Sequence, residues 1–309
     1  MPLGVYLSVP FCRTKCSFCN FASDVFSRER FDAYVARVTG DIAQAPAVGS
    51  TGPDRSADSI YLGGGTPSVL APDQLRRLFD AVRRRFDVSP GAEITVECAP
   101  GTIDDALVAT LRACGVNRVS LGVQSFVDEE SRAVGRLHTR AIALADVARL
   151  RDAGIAELNL DLIAGLPHQT LDSWRRSLDD VLATGAPHVS VYMLEVDEDS
   201  RLGRELVAGG TRYHAHFVPD EAATTEFYEH ARAALNAAGI AQYEISNFAR
   251  AGHESSHNLK YCTRRPYLGF GVDAHSMLPA ATGAVRFASP DNLDDYMRGV
   301  APTVTPVTR

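Results

Sequence analysis

No apolar run in the 309-residue sequence approaches the roughly 20 residues that a membrane-spanning helix needs, so no stable membrane insertion is expected. The start, "MPLGVYLSVPFC", has no basic stretch and no small-residue cleavage site, so it does not read as a secretory signal, and a cytoplasmic chain is expected. Positive charge is also in short supply. Lys and Arg number 31 against 38 Asp and Glu, a net charge of −7, with a pI of about 5.7. Phosphate recognition needs the opposite balance, so nucleic acid is not an expected partner. The run Arg83-Arg84-Arg85 on a helix reads as a solvated face. Cysteine is scarce, six in all, and cytosolic thiols stay reduced. What remains is 45% apolar and 22% charged, ordinary for a globular protein with a sizeable core. The length allows one large domain or two smaller ones.

Half of the cysteines nevertheless crowd into eight positions. Cys12, Cys16 and Cys19 lie in "PFCRTKCSFCNF" (10–21). Three thiols cannot all pair as disulfides, and they leave a tetrahedral zinc site one ligand short. A [4Fe–4S] cluster is held by thiolates. Three of them at C-x3-C-x2-C bind three irons and leave the fourth open to a substrate or cofactor. Arg13 and Lys15 lie within the loop to offset the cluster's negative charge. The competing reading is structural zinc with a distant fourth ligand such as a histidine, although such sites more often use paired C-x2-C. Cys98 and Cys114 read as buried small hydrophobes.

Strand-like and helix-like segments alternate along the first 195 residues. Strands are expected at 4–9, 59–62, 93–98, 118–123, 157–163 and 188–194. Helices are expected at 27–42, 71–86, 102–115 (with Thr102 as N-cap), 127–134, 140–153 and 170–185. A Gly/Pro/Ser-rich loop is expected at 46–57. Near-continuous apolar strands followed by helices argue for an α/β fold with a parallel sheet, curled by right-handed crossovers into a partial (βα)6 TIM-like barrel. After residue 195 the rhythm breaks. A helix is expected at 220–238 and a short strand at Tyr243–Ile245, with loop-rich sequence beyond. The reading is therefore a barrel over 1–195 and a C-terminal α+β extension over 196–309, whose Pro-containing end, "APTVTPVTR", looks like a linker to a further domain.

Unusual residues gather at the strand ends. The three cysteines follow the first strand and "GGGTP" (63–67) the second; Glu97 ends the third, Gln124 the fourth, and Asp161 lies in the fifth. Barrels of this kind place their sites at the C-terminal ends of strands.

C-x3-C-x2-C followed by "GGGTP" resembles the radical S-adenosylmethionine (SAM) enzymes. "VYLSVPFCRTKCSFCNF", "RVSLGVQSF", "GRLHT", "LNLDLIAGLPHQT" and "YEISNFARAGHESSHNLKY" are similar to the oxygen-independent coproporphyrinogen III oxidase family, most of all to its heme chaperone branch, HemW, from about residue 3 to about 290. The resemblance implies a [4Fe–4S] cluster whose open iron takes SAM. It also implies SAM contacts from Tyr6, Phe18, Gly64, Gly65, Thr66, Glu97, Gln124, Arg136 and Asp161. The chemistry it implies is one-electron: a reductant feeds the cluster, and the sulfonium is cleaved to methionine and a 5′-deoxyadenosyl radical. True oxidases carry another cysteine two residues after the third; here that position is Phe21, as in the chaperone branch. That branch also carries H-N-x-x-Y-W, here His257-Asn258-Leu259-Lys260-Tyr261-Cys262, which offers His257 as a heme ligand with Cys in the Trp position. Heme or a porphyrin and a heme-acceptor protein are the implied partners. The rivals are a porphyrinogen oxidase, a radical SAM methyltransferase, and a heme-binding module with a regulatory cluster.

Overall fold

In the computed structural model, residues 1–45, 55–280 and 283–307 are described. Most of the expected loop at 46–57 lies outside them; residues 56 and 57 already belong to a strand. The first half follows the expected rhythm: β1 (Leu3–Val9), α1 (Glu29–Ala43), β2 (Ser56–Gly64), α2 (Pro72–Arg85), β3 (Asp87–Cys98), α3 (Asp105–Ala113), β4 (Arg118–Gln124), α4 (Asp128–Ala133), α5 (Arg140–Asp152), β5 (Glu157–Ala164), α6 (Leu171–Thr184) and β6 (His188–Met193). Then come α7 (Arg201–Ala208), α8 (Glu221–Ala237), β7 (Ala241–Gln242), β8 (Asn247–Ala249), α9 (Ser256–Cys262), β9 (Tyr267–Phe270), β10 (His275–Ala280), β11 (Gly283–Ala288), α10 (Leu293–Arg298) and β12 (Thr303–Val307).

Among the described residues the twelve strands form one sheet, in the order β12-β11-β10-β9-β1-β2-β3-β4-β5-β6-β8-β7. Strands β1 to β6 are neighbours in sequence order and parallel, which makes the partial barrel. β1 pairs with β9 and β6 with β8, so the six-stranded arc is extended at both edges rather than closed on itself.

Three expectations need correction. Helix α3 is capped by Asp104, whose carboxylate accepts from Leu107 N, because Thr102 spends its hydroxyl on Ala99 O and Ser68. Tyr243–Ile245 is the turn between β7 and β8, closed by Tyr243 N donating to Asn247 O. The stretch after 245 is not loop-rich: β9 to β12 and two helices occupy much of it, and "APTVTPVTR" contributes β12, an edge strand where a proline is tolerated.

The strands are less uniformly apolar than their sequences suggest. One face carries Val5, Leu7, Ile60, Leu62, Val96, Leu121, Leu160 and Val189, all buried in the main core. The other face is polar. Strand register aligns Tyr6, Tyr61, Thr95, Arg118 and Glu157 in one row, and Glu97, Ser120, Asn159 and His188 in the next. Gly122, Asp161, Ser190 and Asn247 form a third. Period-2 alternation thus builds an apolar outer layer and a hydrogen-bonding interior.

Candidate functional site

Parallel strands deliver their C-terminal ends to the same side, and the cysteine loop leaves β1 there. A bridge between Phe11 and Asp24 closes the loop, and Cys12 N donates to Asp24 O at 3.0 Å. Ser17 N donates to Val134 O, and Leu202 N to Ser17 O, so α4's exit and α7 hold the loop between them. Each thiol has its own neighbour. Thr66 Oγ1 donates to Cys12 Sγ at 3.6 Å, Arg136 Nη1 to Cys16 Sγ at 3.5 Å, and Cys19 Sγ lies 4.0 Å from Ser23 Oγ. Burial pushes the Cys12 and Cys19 thiols up, and the nearby Cys16 pushes both further. Among the described residues, no three His, Cys, Asp or Glu side chains are arranged as ligands of one ion. Arg13 and Lys15 do not face the thiols with their charges; they donate to Gly101 O and Phe21 O. The cation on the cysteines is Arg136, which comes from the far side of the barrel mouth.

The glycine run after β2 is stitched to this loop, with Gly65 N donating to Val9 O and Thr66 N to Phe11 O, each at 2.8 Å. A Cβ on Gly65 would lie 2.8 Å from Val9 O, 2.9 Å from Phe11 O and 3.0 Å from Cys12 Sγ. Two of these neighbours are backbone, so the loop itself would have to shift. Gly64 has φ +102°, open only to a residue without Cβ. Gly65→Ala is therefore expected to cost about 1–3 kcal/mol of overpacking and to lower the iron taken up on reconstitution. Gly91→Ala, where nothing lies within 4 Å, is the control. Iron content equal in the two variants would contradict this packing.

Glu97, Asp161, Gln124, Arg136 and Tyr6 line the adjoining interior. Glu97 accepts from Tyr61 Oη at 2.8 Å and Gly64 N at 3.2 Å, and burial pushes its carboxyl up to about 7. Asp161 accepts from Ser120 Oγ at 3.1 Å and Asn159 Nδ2 at 2.7 Å, and burial pushes it up to about 6. Gln124 ends β4 in the left-handed region, φ 69°, a conformation that non-glycine residues adopt at a cost and that clusters at functional sites. Its Oε1 and Arg136 Nε are buried without a hydrogen-bond partner. Arg136 Nη2 donates to Gly122 O. Phe18 packs with Leu194 against Val134, Ile163 and Leu166 at the rim. The sequence reading missed Tyr192, which follows Ser190 on the inward face of β6. The residue is 42% exposed at the strand end, and local desolvation of its hydroxyl, then the nearby Asp161, raise that hydroxyl. The signal was its i+2 position in "VSVYML".

These ionisations carry a sign. Both carboxyls ionise near pH 4 in an unfolded chain, but folded Glu97 keeps its proton to about pH 7. The empty fold therefore binds more protons than the unfolded chain between those values, and stability falls as pH rises from about 4 to about 7. Glu97→Gln should flatten that fall. Thermal unfolding of apoprotein between about pH 5 and about pH 8 checks it, and equal slopes for wild type and variant would contradict the buried carboxyl.

His257 is not brought to this end. It sits on α9, fully buried, against the N-terminal half of the strands. Its Nδ1 is 3.0 Å from Ser59 Oγ, its Nε2 is 2.9 Å from Tyr261 Oη, and its backbone N donates to Glu93. The ring stacks on Tyr61 at 5.3 Å. Burial lowers its basicity to about 3. Both ring nitrogens thus lie within hydrogen-bond distance of a neighbouring hydroxyl, and Tyr261, the motif's own tyrosine, is one of them. Cys262, by contrast, is exposed.

The profile of the Radical SAM superfamily matches residues 6–181. The heme chaperone HemW of Escherichia coli K12 is 33% identical over 285 residues, covering 92% of this chain and 72% of that protein. HemW of Mycobacterium tuberculosis H37Rv is 34% identical over 312 residues, covering 99% and 76%. The chain belongs to the radical SAM superfamily and, within it, to the HemW family. Among solved structures, E. coli coproporphyrinogen III oxidase, HemN, a radical SAM enzyme, superposes with a TM-score of 0.83 at 25% identity, covering 98% of this chain and 71% of that one. The radical SAM methyltransferase TsrM of Kitasatospora setae shares the fold alone, with a TM-score of 0.52 at 17% identity. Membership in the radical SAM superfamily brings a [4Fe–4S] cluster and SAM. The residues present fit both. Three thiols share one loop, a glycine cradle has no room for a Cβ, and buried polar atoms on Gln124 and Arg136 still lack partners. Among the described residues, no helix of this HemW-family chain is long and apolar enough to cross a membrane.

Proposed function

We propose that this HemW-like radical SAM protein binds heme and passes it to acceptor proteins, and does not convert coproporphyrinogen. The observation that carries the second half is Phe21. It stands where the true oxidases place a further cysteine, and its side chain is 62% exposed, presenting an apolar ring beside the cluster loop. The names of the relatives, heme chaperones, support the first half.

Cys12, Cys16 and Cys19 hold the cluster in this reading. Gly64, Gly65 and Thr66 admit the amino end of SAM by close backbone approach. Arg136 neutralises thiolate charge through Cys16 and keeps Nε available for a carboxylate. Glu97 and Asp161 would accept from ribose hydroxyls or the ammonium, Gln124 would donate and accept, and Tyr6 and Phe18 would pack beside the ligand. Bound together and reduced, cluster and SAM supply one-electron chemistry. The chain's part is to orient the ligand and exclude water, and the continuous interior of Ser120, Asn159, Ser190 and Asn247 keeps Asp161's neighbours fixed. A reductant is the remaining partner.

The test is anaerobic reconstitution followed by titration with hemin and, separately, with coproporphyrinogen III. Hemin uptake with a Soret band and no released carbon dioxide is the expected result. No hemin uptake, or decarboxylation, would overturn the reading.

A further inference from the structure

Strand β2 alternates. Ile60 and Leu62 point into the outer core, which turns Ser59, Tyr61 and Gly63 to the interior. Each of the three makes its own contact there. Ser59 Oγ lies 3.0 Å from His257 Nδ1. The Tyr61 ring stacks on the His257 ring, centroids 5.3 Å apart, and its Oη donates to Glu97 Oε1 at 2.8 Å. At Gly63 a Cβ would stand 2.8 Å from Glu97 Oε1 and 2.9 Å from its Cδ, so the missing side chain lets the carboxyl lie against the strand. Glu97 Oε2 then accepts from Gly64 N at 3.2 Å, in the glycine run.

The histidine has a seat as well as partners. Gly4 and Ser59 are register neighbours across β1 and β2. A Cβ on Gly4 would lie 3.1 Å from His257 Cε1, so two small residues side by side admit the ring. Ser59 on Nδ1 is the kind of contact that orients a ligating imidazole through its other nitrogen. Tyr261 Oη, 2.9 Å from Nε2, is the partner with a way out, since Tyr261 is 41% exposed. Contacts thus run from Gly64 through Glu97 and Tyr61 to His257, along roughly 13 Å of one strand.

Coupling needs a change between the two ends. Burial holds the Glu97 proton to about pH 7. A cationic ligand beside it favours the carboxylate, and a hydroxyl bonds a carboxylate more tightly than a carboxylic acid. SAM, with its ammonium and sulfonium, is such a ligand. A Tyr61 held harder gives His257 a firmer face. A ring already fixed at Nδ1 and on one face loses less freedom when iron takes Nε2.

We propose that Tyr61 couples the two sites: SAM at Glu97 tightens heme at His257, and the Tyr61 hydroxyl carries the effect as a positioning group. This rests on the heme-binding reading above, with His257 as the ligand that the resemblance offers. Reciprocity requires heme to tighten SAM by the same factor.

The experiment titrates hemin into the anaerobically reconstituted full chain, with and without saturating SAM, and follows the Soret band. The cluster is kept oxidised so that SAM stays whole. In wild type, SAM should tighten hemin about 5- to 10-fold, and hemin should tighten SAM equally. Tyr61→Phe keeps the ring on His257 and removes only the hydroxyl. It should bind hemin alone about as wild type does, with the SAM effect below about 2-fold. His257→Gln should weaken hemin binding at least about 10-fold and lose the SAM effect. Hemin affinity indifferent to SAM in wild type overturns the coupling and leaves heme binding in place. A full SAM effect in Tyr61→Phe overturns Tyr61 as its carrier, and one in His257→Gln overturns the site at the far end. No hemin uptake by wild type overturns the heme reading and the coupling with it.

Discussion

Cys12→Ala, Cys16→Ala and Cys19→Ala are each expected to leave the chain without a [4Fe–4S] cluster after anaerobic reconstitution. In the proposed site each thiolate would be one iron's only protein ligand, and the loop offers no substitute: Ser17 and Ser23 are hydroxyls, and Cys98 is buried on the outer face of β3 with its thiol pushed up to about 12 by burial. The effect should be near total rather than graded, because a cluster missing one anchor opens a second iron to solvent in a half-exposed loop. Iron and sulfide analysis decides it. Four irons per chain in any single variant would sink the assignment, and stoichiometric zinc in the wild type would do the same.

Asp161→Ala and Gln124→Ala are expected to weaken SAM binding while leaving iron content intact. Asp161 sits in β5, tied to Ser120 and Asn159 rather than to the cysteine loop, so removing it leaves the cluster's anchors in place. Gln124 holds its amide at a strained strand end with Oε1 unpaired. A lost hydrogen bond to a charged partner is worth about 1.5–3 kcal/mol, roughly 10- to 150-fold in affinity. The Asp161 effect should be the larger, because a carboxylate facing a cationic ligand contributes charge as well as a hydrogen bond. Equilibrium binding of SAM to the reconstituted variants measures it, and unchanged affinity in both would mean that these side chains face something else.

The barrel was legible because its signals are local. Six short apolar runs, each followed by a helical period, fix β1 to β6, and motifs at their ends fix which side carries chemistry. The extension was not, because its strands declare themselves only through their partners. β9 is four residues long and gains its place by pairing parallel to β1. β10 and β12 contain prolines, Pro279 and Pro306, which read as breaks until both strands are seen flanking β11. The residues proposed to face SAM were assigned by motif. Arg136 as the cation on Cys16 was not distinguishable from Arg13 or Lys15, which lie nearer in sequence, since a contact across 120 residues leaves no local trace. At His257 the motif was legible and its surroundings were not. "SHNLKY" carries the motif's letters, and only the fold shows Ser59, Tyr261 and Glu93 closing on it.

The measurement closest to the central claim, that this barrel mouth holds a cluster with one iron open to SAM, is electron paramagnetic resonance of the reduced, reconstituted protein with and without SAM. A change in the reduced-cluster signal on adding SAM to wild type, with a weaker response in Asp161→Ala at the same SAM concentration, is the result expected. A reduced-cluster signal that SAM leaves unchanged in the wild type would contradict the account.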